Sequence, residues 1–223
     1  MKAKEIFPAV YMLDGRLATK NLISGNPVYG EQIVRIEKEE YRMWNPYRSK
    51  LGAAIMSGLK EMPIAPGGSI LYLGAATGTT TSHVSDIVGE KGVVYCVEFA
   101  PDSMHNLLKI SETRENMVPV YSDARSPAQY KEYADIEKVD VVYEDVAQPD
   151  QADILIKNAK MYLKTGGYGM IAIKSQSIDV SKKPALVFEE TIKRLSTAFD
   201  IIEKVDVSKY EKEHLFVVVK FKG

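Results

Sequence analysis

From Ser69 onward, short apolar runs alternate with stretches whose apolar residues recur at helical spacing. Fully apolar runs suit strands buried on both faces, and the 3.6-residue recurrence suits helices packed against them. The pattern predicts strands over Ser69–Leu73, Val93–Val97, Met117–Tyr121, Val139–Tyr143 and Gly169–Ile173. It predicts helices over Thr79–Val88, Pro101–Glu112, Gln151–Leu163 and Pro184–Phe199. Two closing strands, Ile201–Val207 and Leu215–Val219, leave no room for a helix between them, so they pair as an antiparallel hairpin at one edge. Such alternation builds a mostly parallel sheet with helices on both faces.

The first part of the chain has a different texture. Val10–Leu13, Asp14-Gly15 and Arg16–Thr19 read as a hairpin, because Asp-Gly supplies the positive φ angles of a tight type I′ turn. Ser24-Gly25-Asn26-Pro27 marks a second turn, and Gln32–Ile36 a further short strand. A helix is predicted to begin near Asn45-Pro46, with Leu51, Ile55, Leu59 and Met62 on one face, and to end at Pro63 and Pro66-Gly67-Gly68. The division expected is a small β-rich antiparallel annex over residues 1–55 and a larger α/β domain over 56–223.

Composition narrows the class. Of 223 residues, 45% are hydrophobic and 26% charged, which excludes a disordered or fibrous design. Lys plus Arg number 29 and Asp plus Glu 30, a balance that argues against gripping bare nucleic acid through a broad basic field. Residues 1–50 nevertheless hold nine Lys or Arg against six Asp or Glu, a mild local basic bias. Cys96 is the one cysteine, so no disulfide closes within the chain. No secretory core follows Met1, and the longest apolar runs, such as Leu215–Val219, are too short to span a bilayer. The expectation is an intracellular, cytoplasmic protein with no membrane attachment.

The chemistry concentrates at strand ends. Strand Ser69–Leu73 runs into Gly74-Ala75-Ala76-Thr77-Gly78-Thr79-Thr80-Thr81 before a helix. A glycine-rich strand-to-helix turn lets the backbone approach a ligand and aims helix amides at it. The spacing is neither G-x-G-x-x-G nor a P-loop, so the ligand lacks a pyrophosphate. Glu98 ends the next strand, where an acid accepts from a ribose diol; Phe99 would lie against an adenine, and Asp123 could accept from its amino group. This is the layout of an S-adenosylmethionine pocket, with Gly74, Ala75, Thr77 and Gly78 as its loop.

Further titratable groups fall at the same rim. Asp145 follows the fourth strand and Lys174 the fifth, while His214 opens the antiparallel last strand and Lys50 lies on the helix preceding the loop. A lysine beside another cation and a carboxylate can handle a proton. His83 and His105 sit on predicted helices without metal-ligand spacing, so they are read as packing or surface residues and no metal is expected.

These residues resemble the fibrillarin family in its short, archaeal form. The resemblance is carried by Trp44-Asn45-Pro46-Tyr47-Arg48-Ser49-Lys50-Leu51, Leu73–Thr80, Tyr95-Cys96-Val97-Glu98-Phe99, Tyr143–Gln148 and Ile173–Asp179, spread over nearly the whole chain. It implies a Rossmann-like class I S-adenosylmethionine-dependent methyltransferase: a seven-stranded, mostly parallel sheet with an antiparallel last strand, plus the annex. It further implies ribose 2′-O-methylation of ribosomal and transfer RNA at nucleotides selected by a box C/D guide RNA. A Nop-family scaffold and a kink-turn-binding ribosomal-protein-like subunit would complete the particle, with self-association left open. The family's donor-binding positions fall on Thr80, Thr81, Glu98, Phe99, Asp123, Ala124, Asp145, Val146, Ala147 and Gln148. Its catalytic set falls on Lys50, Asp145, Lys174 and His214. A small-molecule O-methyltransferase and a donor-binding fold kept only for assembly are the competing readings.

Overall fold

The computed structural model describes residues 2–131 and 136–223. The chain opens with β1 (Ala3–Phe7), β2 (Val10–Leu13), β3 (Arg16–Lys20), β4 (Ile33–Ile36) and β5 (Glu39–Met43). They form an antiparallel sheet in the order β1-β2-β3-β5-β4. Asp14 and Gly15 turn between β2 and β3 at φ values of 46° and 80°, as the Asp-Gly pair predicts. β1 and β5 are additions to the predicted set. The sequence of β5, Glu-Glu-Tyr-Arg-Met, looks solvent-facing, yet its three central residues are buried.

The predicted helix at Asn45 is instead two short pieces. The Asn45 side chain accepts from Tyr47 N at 2.9 Å and caps a single 3₁₀ turn over Pro46–Arg48. Ser49 then accepts from Gly52 N at 3.1 Å and caps α1 (Lys50–Met56). The helix ends at Met56 rather than continuing to Met62, because the chain turns through Gly58 at φ +96°. Leu59 stays in the core without being helical, so its spacing records burial rather than a longer helix.

The larger sheet contains β6 (Ser69–Leu73), β7 (Val93–Glu98), β8 (Met117–Tyr121), β9 (Val139–Glu144), β10 (Leu163–Lys174), β11 (Phe199–Asp206) and β12 (His214–Phe221), in the order β11-β12-β10-β9-β6-β7-β8. β8, β7, β6, β9 and β10 pair in parallel, while β12 runs antiparallel to β10 and to β11. Helices α2 (Thr79–Val88) and α3 (Pro101–Ser111) pack with α1 on one face. Helices α4 (Gln151–Tyr162) and α6 (Pro184–Leu195) pack on the other, and α5 (Ser175–Ile178) is a single turn after β10. β10 starts at Leu163 rather than at Gly169 as predicted, and Gly166 and Gly167 lie where its pairing with β9 shifts register.

A buried charge cluster fastens the annex to this domain. Asp86, on α2, accepts from Arg42 Nη1 at 2.8 Å, from Arg114 Nη1 at 2.7 Å, from Thr19 Oγ1 at 2.7 Å and from Leu22 N at 3.1 Å. Arg42 also bonds Glu31 and Ser82, and neither arginine reaches solvent. Burial would raise the Glu31 carboxyl, but Arg42 and the amides of Val28 and Tyr29 hold it below its usual range. His83 lies in the same seam between Thr19 Oγ1 and the Tyr29 hydroxyl, each at 2.7 Å, and stacks on Trp44 at 4.7 Å. Burial pushes His83 well below its ordinary pKa, and Arg42 and Arg114 push the same way. Because Thr19 gives its proton to Asp86, the network assigns the His83 proton to Nδ1. Part of the annex's basic bias is therefore internal rather than outward-facing.

Candidate active site

The loop between β6 and α2 is held by a strand it does not belong to. Gly74 N and Ala75 N both donate to Val97 O, at 3.0 and 3.1 Å. Gly74 has φ +79°, and a Cβ there would come within 3.2 Å of the Asp145 carbonyl. Gly78, at φ +87°, would drive a Cβ to 2.5 Å from Ile110 Cδ1. Both glycines are thus required by conformation and by close approach. Ala76 also adopts a left-handed φ of 48°, and its amide donates to Glu98 Oε2 at 2.8 Å. Strained backbone of this kind concentrates at functional sites.

Two cavities flank the loop. One, of about 200 Å³, is lined by Gly74, Glu98, Phe99, Asp123, Ala124, Asp145, Val146, Ala147 and Gln148, together with Val97, Arg125 and Ile154. The other, of about 280 Å³, is lined by Lys50, Gly74, Ala75, Thr77, Thr80 and Asp145, together with Arg48 and Tyr72. Gly74, Ala76 and Asp145 belong to both. Thr81 is fully buried and lines neither, while Gly78 is the left-handed cap of α2.

The first cavity joins an apolar slot to a carboxylate that can accept from a hydroxyl group. Phe99 is 57% exposed, an unusual state for a phenyl ring, and it faces a slot that Val97, Val146 and Ile154 make apolar. The Glu98 carboxylate receives three amides, Ala76 N on Oε2 and Phe99 N and Ala100 N on Oε1, at 2.8, 2.9 and 2.8 Å. A carboxylate offers about four acceptor positions, so one remains on Oε2 for a ribose hydroxyl. Asp123 is gripped by Arg125 through Nε and Nη2, at 2.9 and 2.6 Å on Oδ2, and that bond holds its carboxyl below the usual range. Arg125, itself half-exposed, thus occupies the carboxylate that the sequence offered to an adenine amino group.

The second cavity meets the proposed catalytic set. Lys174 Nζ donates to the Asp145 carbonyl at 2.6 Å and lies 2.8 Å from Asp145 Oδ1, too far off line to hydrogen-bond it. Lys174 stands opposite His214 in the β10–β12 register, so the antiparallel last strand delivers His214 to the same rim. His214 Nδ1 bonds Lys212 O at 2.7 Å. Lys50 lines the cavity and lies 3.8 Å from Glu211, on the loop preceding His214. The structure therefore gathers these four residues at one end of the sheet, Lys50 and Asp145 lining the cavity and Lys174 and His214 reaching it through Asp145 and the β10–β12 pairing.

Three supporting residues carry no signal of spacing. Gln151 donates to Val146 O and Ala172 O, at 2.8 and 3.0 Å, and accepts from Lys174 N at 2.9 Å, tying the Asp145–Gln148 loop to the Lys174 strand. Tyr72 stacks on Tyr143 at 4.4 Å and forms the floor of the second cavity. Glu144 is fully buried with neither oxygen hydrogen-bonded, and burial raises its carboxyl well above the usual value. Among the described residues, no group of three or more His, Cys, Asp or Glu is arranged to hold a metal ion.

Comparison with known proteins gives this arrangement its relatives. A sequence profile described as fibrillarin matches residues 1–223. The chain is 55% identical over 222 residues to a fibrillarin-like rRNA/tRNA 2′-O-methyltransferase of Pyrococcus furiosus, covering 97% of each. The fibrillarin of Aeropyrum pernix, solved with natively bound S-adenosyl-L-methionine, superposes with a TM-score of 0.89 at 44% identity, over 98% of each chain. Fibrillarin from a fibrillarin/Nop5p complex superposes with a TM-score of 0.89 at 36% identity, over 98% of this chain and 100% of that one. By sequence over its full described length and by fold, the chain belongs to the fibrillarin family.

Proposed function

We propose that this protein methylates ribose 2′-hydroxyls of ribosomal and transfer RNA with S-adenosylmethionine. It acts at nucleotides chosen by a box C/D guide RNA, in a particle built on a Nop-family scaffold and completed by a kink-turn-binding ribosomal-protein-like subunit. Its place of work on this reading is the cytoplasm. The observation that carries the reading is Asp145: it borders both cavities and holds Lys174, so donor and acceptor sites meet at one proton-handling pair.

The donor, when bound, supplies an electrophilic methyl group. Phe99 and its apolar neighbours would hold the adenine, and Glu98 the ribose. A ribose 2′-hydroxyl is a weak nucleophile whose pKa lies far above neutrality. The Lys174–Asp145 pair takes or polarises its proton as the oxygen bonds the methyl carbon and the carbon–sulfur bond breaks, leaving neutral S-adenosylhomocysteine, and Lys50 and His214 position the ribose and its phosphate. Alignment of two bound reactants supplies on the order of 7–11 kcal/mol, and general acid–base help about 10²–10⁴-fold. Positioning is therefore the larger part. Gln151 serves it by fixing the loop that carries Asp145 against the strand that carries Lys174.

The test is guide-directed transfer of labelled methyl groups in the assembled particle. Methylation of the ribose that the guide selects, and loss of it when the guide pairing is moved, is the expected result. Labelling of a catechol but not of guided RNA would instead identify a small-molecule enzyme. Donor binding without transfer to either would identify an assembly subunit.

A further inference from the structure

Beside the second cavity, an exposed tyrosine meets one that is half-buried and packed against the core. Tyr47, on the 3₁₀ turn before α1, is 63% exposed. Its ring meets Tyr210 edge-on at 5.1 Å. Tyr210 lies on the loop between β11 and β12, with Lys209 Nζ 5.4 Å from its ring centre. The same two segments are joined a second time by Lys50 and Glu211, and the loop is anchored to the catalytic strand end where Ser175 N and Oγ both donate to Glu213 O, at 3.2 and 3.1 Å. The aromatic pair is thus held in a fixed frame relative to Lys50, Lys174 and His214. Residues 46–50 and 207–214 carry four Lys or Arg against two Glu, and one of those glutamates is engaged by Lys50.

An exposed aromatic ring, on a partner ring that Lys209 flanks and fixed beside a site that takes ribose, matches the means by which proteins hold single nucleotides. Every base has a π face to stack, and nearby cations meet the phosphates. Resting on the RNA-methylating reading above, we propose that Tyr47 and Tyr210 form a stacking platform for a base of the substrate RNA, at the methylated nucleotide or directly beside it. The platform would fix the sugar's rotation and so choose which hydroxyl faces the donor.

The experiment measures KM for target RNA and kcat in the assembled particle for the native chain and for Tyr47→Ala, Tyr47→Leu and Tyr47→Phe. A fluorescent purine analogue in the target strand reports stacking. Tyr47→Ala and Tyr47→Leu are expected to raise KM for RNA about tenfold and to abolish quenching of the analogue. Tyr47→Phe keeps the π face and restores both, and donor affinity is unchanged in all three. Near-native KM in Tyr47→Ala, with the native particle active, overturns the platform and leaves the RNA reading standing. Recovery by Tyr47→Leu equal to that by Tyr47→Phe overturns it in favour of a plain apolar contact. A defect that tracks lost capture of the scaffold protein in the absence of RNA overturns it in favour of a protein-docking surface. A native particle that methylates no RNA removes the functional reading and the platform with it.

Discussion

Two clusters of buried charge lie within this chain, and they are finished to different degrees. In the seam between the sheets, Asp86 receives four donors, Arg42 bonds three partners, and His83 is enclosed by Thr19, Tyr29 and Trp44. At the carboxyl ends of β6, β7, β9 and β10 the accounting stays open. Asp145 Oδ1 and both oxygens of Glu144 lack hydrogen bonds, Glu98 keeps an acceptor position, and Phe99 and Tyr47 show rings to solvent. Burial alone does not separate the two regions. The carboxylates do: Asp86 and Glu31 are fully hydrogen-bonded in a seam where only the Trp44 and Asn21 side-chain N–H groups lack partners, while at the rim Glu144 has no hydrogen bond and Asp145 Oδ1 is met only by the Lys174 charge.

Substitutions sharpen that contrast, and the rim gives the largest expected effect. Lys174→Ala should lower methyl transfer by about 10²–10⁴-fold while calorimetry shows donor binding intact; near-normal turnover would remove Lys174 from the chemistry. In the seam, Asp86→Ala leaves buried Arg114 without its carboxylate and Arg42 with Glu31 alone. Breaking a buried ion network costs about 3–5 kcal/mol, which for a chain of this size lowers Tm by roughly 6–20 °C. A drop of only a degree or two would mean that the seam is hydrated and not structural. Phe99→Ala should weaken donor binding about tenfold, the size of a lost stacking contact, with little change in Tm; unchanged affinity would move the adenine elsewhere.

The smallest effect concerns Glu144, and its sign follows from linkage. Its folded pKa is raised above the reference 4.5 by burial. Above about that pH the unfolded chain sheds a proton that the folded chain keeps, so stability falls as pH rises toward the folded value. Glu144→Gln cannot ionise and should remove that slope. Its melting temperature is expected to equal the native one near pH 4 and to exceed it by a few degrees at pH 8. Parallel melting curves across that range would show that Glu144 finds a partner.

Much of this was legible in the residues. Apolar runs mark the strands from Ser69 onward because both faces of that sheet are covered, and the reactive groups fall where those runs stop. Asp145 and Lys174 are visible for that reason alone. Polar residues buried by distant partners leave no such trace. Arg42 and Glu40 make β5 look solvent-facing, and Glu144 looks like one more surface acid beside Asp145. Gln151 and Arg125 act through contacts whose spacing in the chain is set by intervening elements, so no local pattern announces them. Leu59 shows the reverse error: its burial imitates helical periodicity after the helix has ended.

The seam also has a mechanical meaning. With Arg42 and Arg114 closed on one carboxylate and Trp44 stacked on His83, the annex has no hinge at the point where it meets α2. It is a handle. Whatever grips that sheet aims the methyl-transfer site as directly as a hand aims a tool, and the error in placement is set by the stiffness of the join. An assembly that must address one ribose among many along an RNA then needs no moving part in this subunit.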